Sequence, residues 1–105
     1  MQHIVDPPQT PYAIGRSETC QLIVDCNTAS RSHAIIQLTG KDYVLIDQSK
    51  NGTFIYCEDQ KACALTKSSA VLIGRGTITL GTTSDDPELT EHGVIRFERI
   101  SALAR

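Results

Sequence analysis

Three short polar clusters hold the residues in this chain that are able to do chemistry. They are Gly15-Arg16-Ser17, Ser30-Arg31-Ser32-His33-Ala34 and Asp47-Gln48-Ser49-Lys50-Asn51-Gly52-Thr53. Together they supply cations, several hydroxyls and a side-chain amide. A guanidinium presents a rigid fork of donors and an ammonium a mobile point charge, and both suit oxyanions. Such groups on loops from separate strands predict a site for a compact anion such as a phosphate group.

The segments between the clusters read as strands. Tyr12-Ala13-Ile14 is short and apolar and runs into a turn at Gly15-Arg16. Gln21-Leu22-Ile23-Val24 predicts a second strand, ending at Asp25, and Asn27-Thr28-Ala29-Ser30 a polar loop. His33 to Leu38 predicts a strand with a buried body. Thr39-Gly40-Lys41-Asp42 is expected as a hairpin connection and Tyr43-Val44-Leu45-Ile46 as the return strand. Thr53-Phe54-Ile55-Tyr56 predicts a strand with Thr53 and Ile55 on one face. Residues 57–69 are the least legible: Glu58-Asp59-Gln60-Lys61 looks like a solvated turn, and Ala62-Cys63-Ala64-Leu65 allows a strand. Two apolar pieces, at 71–76 and 77–81, are expected to be split by a glycine turn. A loop rich in Thr, Asp and Glu covers 82–92. Residues 93–100 alternate and predict the closing strand. No window sustains a 3.6-residue period, and short strands with frequent turn signals predict an all-β, two-sheet sandwich.

The chain has 105 residues, enough for one domain, and its formal net charge is −2. That balance argues against a general nucleic-acid binder. No apolar run is long enough for a membrane span. The N-terminus lacks the basic start and apolar stretch of a secretory signal, so a complete chain is expected to be cytoplasmic; a domain cut from a longer protein fits equally well. Cys20, Cys26, Cys57 and Cys63 fall in two pairs. Their spacing is wider than that of common zinc sites, and a cytosolic setting disfavours disulfides, so reduced, partly buried thiols are expected, with no metal and no cofactor.

Read in order, Gly15-Arg16-Ser17, Ser30-Arg31-Ser32-His33-Ala34 and Asp47 to Phe54 resemble the forkhead-associated (FHA) domain. Residues 72–81 are similar to that family's later strand-turn-strand. The resemblance covers 12–100, leaving 1–11 as an irregular lead-in and 101–105 as a tail. It implies a β-sandwich of the FHA type with binding loops at one end. The family binds phosphothreonine peptides there, so the partner implied is a phosphothreonine-containing protein or peptide. The resemblance also implies membership of a larger, bacterial-type regulatory protein, such as a cyclase or a kinase-pathway component.

What the family's residues do carries over position by position. Arg16 is expected to fork the phosphate, Ser30 to donate its hydroxyl to it, and Arg31 to add a further contact. Lys50 stands where the family often has threonine; it offers either its point charge or only its backbone amide. Asn51 is expected to bind the peptide main chain. Gly15, His33, Gly52 and Thr53 support the site: His33 orients the loops, Gly52 gives the turn its backbone freedom and Thr53 starts a strand. Two departures stand out. Ile55-Tyr56-Cys57 stands in the region where family members often have a second asparagine, and Thr28 is uncharged where some members carry a charge that selects the third residue after the phosphothreonine.

Two rival readings compete. Ser30, His33 and Asp47 invite a hydrolase triad, but no Gly-x-Ser-x-Gly elbow is present. Gly74-Arg75-Gly76-Thr77 lacks the spaced Gly-Lys-Ser/Thr of a nucleotide loop. The sequon Asn51-Gly52-Thr53 reads as coincidental. The other rival keeps the fold but docks an unphosphorylated partner or neighbouring domain, which Tyr56 and the missing asparagine would favour.

Overall fold

In a computed structural model the described residues form ten β-strands arranged as two five-stranded sheets. The residues described are 3–5, 11–40, 42–58, 61–86 and 93–98. The expected tail at 101–105, Pro7 and Pro8 of the lead-in and the end of the closing strand at 99–100 lie outside them.

One sheet runs β3 (Leu22–Ile23), β2 (Tyr12–Gly15), β4 (Ala34–Thr39), β5 (Asp42–Asp47) and β8 (Ser69–Val71). The other runs β1 (His3–Val5), β10 (Val94–Glu98), β9 (Arg75–Leu80), β6 (Thr53–Cys57) and β7 (Cys63–Leu65). Period-two alternation of apolar residues places one face of each sheet inward. Ile14, Ala34, Ile36 and Leu45 from the first sheet meet Ile55, Leu65, Ile78, Leu80, Ile95 and Phe97 from the second in a single buried cluster. Thr53 and Ile55 share the inward face of β6, as their alternation predicts.

The fold departs from expectation in four places. Residues 3–5 are not part of an irregular lead-in: His3, Ile4 and Val5 pair in parallel with Ile95, Arg96 and Phe97. A strand of this length has no periodicity of its own, and its partner lies at the far end of the sequence. Thr39 and Asp42 pair with each other, so both belong to strands rather than to the hairpin turn. The glycine turn before β9 falls at Gly74, which has φ +65°, whereas Gly76 sits inside the strand opposite Cys57. The illegible stretch contains β7 and the first residue of β8, and these strands belong to different sheets, so the chain crosses the sandwich there. All four cysteines are free thiols; Cys20 is buried and the others are half-buried.

Candidate anion-binding site

The three polar clusters meet because backbone pairing continues past the strand ends. Beyond β2, the Arg16 amide donates to the Ser30 carbonyl and the Ser17 amide to the Arg31 carbonyl, each at 3.0 Å. The His33 amide donates to the Ile14 carbonyl at 2.9 Å. This close approach requires Gly15: a Cβ there would stand 2.2 Å from the Arg31 carbonyl oxygen. At the other end of the same segment, a Cβ on Gly81 would stand 2.0 Å from the Thr28 carbonyl oxygen. Residues 28–31 therefore run between two bare stretches of backbone.

His33 joins the second cluster to the third. It is fully buried, and its Nδ1 accepts the Ser30 amide at 2.9 Å. Nδ1 is thus unprotonated, so the ring hydrogen sits on Nε2, which donates to the Gly52 carbonyl at 2.9 Å. The Gln48 amide donates back to the His33 carbonyl at 2.8 Å. Burial lowers the imidazole pKa and the Lys67 cation adds to this; the Gly52 hydrogen bond and the Asp47 carboxylate oppose it without reversing it.

The third loop is built on Asp47, which is buried. Its Oδ1 accepts the Ser49 hydroxyl and the Thr53 hydroxyl, both at 2.6 Å, and the Ser49 amide at 3.3 Å. Its Oδ2 accepts the Lys67 amide at 2.8 Å. The Ser49 hydroxyl also accepts the Gly52 amide at 2.8 Å, which closes the turn around Lys50 and Asn51. Gly52 has φ +93°, the left-handed backbone its sequence position predicts. Burial alone would raise the Asp47 carboxyl pKa, but the four donors outweigh it and hold the group below its ordinary value. Sequence reasoning saw Asp47 only as a possible catalytic acid and passed over Ser49. The signal was available: an acid directly after an apolar strand, with hydroxyls two and six residues on.

Arg16, Ser30, Arg31, Lys50 and Asn51 all line one cavity of about 470 Å³, together with Asn27, Thr28, Ala29 and Gln48. The three cations are exposed, and none has a carboxylate partner among the described residues. The Lys50 amide donates to Ser30 Oγ at 3.3 Å. That bond occupies a lone pair, so the Ser30 hydroxyl hydrogen is free to point into the cavity. It also commits the Lys50 amide and leaves the ammonium as the part of this residue still available. Tyr56 lies elsewhere, its hydroxyl accepting the Ser84 amide at 2.9 Å.

The hydrolase triad fails on geometry. His33 uses Nδ1 on the Ser30 amide and Nε2 on the Gly52 carbonyl, so neither ring nitrogen is placed to take the Ser30 hydroxyl proton. Asp47 is engaged by Ser49, Thr53 and Lys67 rather than by the imidazole.

A family model for the FHA domain matches residues 12–81. The chain belongs to the FHA domain family. Solved FHA structures share its fold. The FhaA FHA domain, in a complex with the intracellular domain of Rv3910, is 24% identical with a TM-score of 0.58; the alignment covers 73% of this chain and 78% of that one. The N-terminal FHA domain of S. cerevisiae Rad53p, bound to a phosphothreonine peptide, is 20% identical with a TM-score of 0.59, covering 84% and 67%. Mycobacterium tuberculosis EmbR, with a low-affinity phosphopeptide, is 30% identical with a TM-score of 0.51; 70% of this chain aligns, but with only 17% of EmbR. No curated protein matches the chain. The family match ends at Gly81, so β10 lies beyond it.

Proposed function

We propose that this FHA domain binds a phosphothreonine-bearing segment of a partner protein in the cavity between its three loops. The observation that carries the reading is the convergence of Arg16, Arg31 and Lys50, none with a carboxylate partner among the described residues, on one cavity with the Ser30 hydroxyl. A phosphothreonine brings about −1.5 to −2 charges and three acceptor oxygens. The Arg16 fork and the Ser30 hydroxyl take two of those oxygens, Arg31 adds its charge, and Lys50 and Asn51 lie along the peptide beside the phosphate, Asn51 holding its main chain. Gly15, His33, Gly52 and Thr53 hold the loops. The phosphopeptides bound to the Rad53p domain and to EmbR support the same ligand class here. The role is that of a binding module, not an enzyme, within a cytoplasmic regulatory protein of the cyclase or kinase-pathway kind.

Each hydrogen bond to a charged group contributes about 1.5–3 kcal/mol, against an association cost of about 4–15 kcal/mol. The phosphate contacts alone leave weak binding, so main-chain and flanking contacts must add to them. Calorimetry with one peptide in phosphorylated and unphosphorylated forms tests the reading, alongside an Arg16→Ala variant. Binding is expected only to the phosphorylated peptide and is expected to fall at least tenfold in the variant, the equivalent of about 1.4 kcal/mol. Equal affinity for both forms would refute it and favour phosphate-independent docking.

A further inference from the structure

We infer that the cavity accepts two neighbouring anionic groups: the threonine phosphate and a second anion, a carboxylate or another phosphate, carried within about two residues of it and met by the Lys50 ammonium. The inference rests on the phosphothreonine reading and narrows its ligand class.

The first argument is a charge count. The cavity lining contains Arg16, Arg31 and Lys50 and no acidic residue. The chain as a whole has a net charge of −2, so positive charge is concentrated here against the average. One phosphothreonine supplies at most about two negative charges. Three cations with no carboxylate partner among the described residues thus leave about one positive charge over.

The second argument is position. The Lys50 amide is committed to Ser30 Oγ, which fixes the start of the side chain beside the hydroxyl expected to hold the phosphate. From there a four-carbon stem is long enough to let the ammonium reach beyond that hydroxyl. Lys50 also directly precedes Asn51, the residue expected to hold the peptide backbone. An ammonium there meets the side chain of a residue next to the phosphothreonine more readily than the phosphate itself. A cavity of about 470 Å³ has room for more than a single phosphate group.

The test uses the full chain and four peptides sharing one phosphothreonine: one with neutral flanks, one with Glu placed within two residues, one with phosphoserine at that place, and one with the same Glu moved to the far end. Affinities are measured by calorimetry at low and physiological salt. Nearby Glu is expected to tighten binding up to about fivefold and nearby phosphoserine about tenfold or more, so the two sources are distinguished by size. Remote Glu is expected to give no comparable gain. In Lys50→Met the ratio of the nearby-anion peptides to the neutral one falls to about one, whatever happens to absolute affinity, and in Arg31→Met the ratio persists. No gain from a nearby anion, an equal gain from a remote one, or a ratio that survives in Lys50→Met overturns the inference while the phosphothreonine reading stands. Failure of every phosphopeptide to bind overturns both.

Discussion

Replacing Asp47 by asparagine keeps the shape of the buried side chain and removes its charge and half of its accepting capacity. In the wild type, Oδ1 receives three donors and Oδ2 one. The best arrangement for asparagine keeps its carbonyl oxygen toward Ser49 and Thr53 and turns its NH2 toward the Lys67 amide. Two donors then face each other, and one charge-assisted bond of about 1.5–3 kcal/mol is lost outright. The three retained bonds become neutral and weaken, since charged hydrogen bonds are roughly twice as strong. The sum is about 3 kcal/mol, a large share of a domain's total stability of about 5–15 kcal/mol. Urea unfolding followed by circular dichroism measures it. The difference between wild type and Asp47→Asn also has a pH signature. The folded carboxyl pKa is depressed below the ordinary 3.8, so the carboxylate's contribution is complete above that value and is lost as pH falls through the lower folded pKa. The two proteins should therefore converge in acid. A difference under about 0.5 kcal/mol at pH 7, within the range of ordinary surface substitutions, would refute the assignment of Asp47 as the frame of the third loop.

Three further outcomes are expected. His33 has a folded pKa below 6.5, so the stability it contributes is full above about 6.5 and declines as pH drops through the folded value; the Ser30 amide resonance should shift with the same titration, because imidazolium has no lone pair for it. Gly81→Ala should destabilise by about 2 kcal/mol or more beyond Gly40→Ala in thermal melts: both glycines have positive φ, +79° and +64°, but an added Cβ at Gly40 meets open space whereas one at Gly81 meets the Thr28 carbonyl. Ile78→Ala, in the fully buried centre of β9, should cost about 2–5 kcal/mol in urea melts.

The parts legible in the sequence were those whose signal is local. The β4–β5 hairpin shows in two apolar runs joined through Gly40, and the site loops announce themselves because arginine, serine and asparagine at turns need no distant partner to be recognised. The strand at His3–Val5 is illegible because the parallel neighbour that supports it, Ile95–Phe97, lies at the far end of the sequence. Gly76 read as a turn because glycine is weak in strands; packing against the backbone of Tyr56 and the ring of Phe97 overrides that preference. Within the site, the cavity-lining cations are visible in the sequence, but the framing role of Asp47 and Ser49 is not, since it comes from burial and from the Lys67 amide arriving from a crossover loop.

The path of residues 28–31 has a consequence for redesign. Its carbonyls at Thr28 and Arg31 rest where Gly81 and Gly15 have no side-chain atoms. Libraries that vary Asn27, Thr28 or Arg31 to retarget the domain would sample new chemistry on an unchanged track. Grafting that segment into a homologue carrying alanine at either glycine position would fail, however well the transplanted side chains matched their new ligand. The portable unit is four residues and two absences, drawn from three separate stretches of the chain.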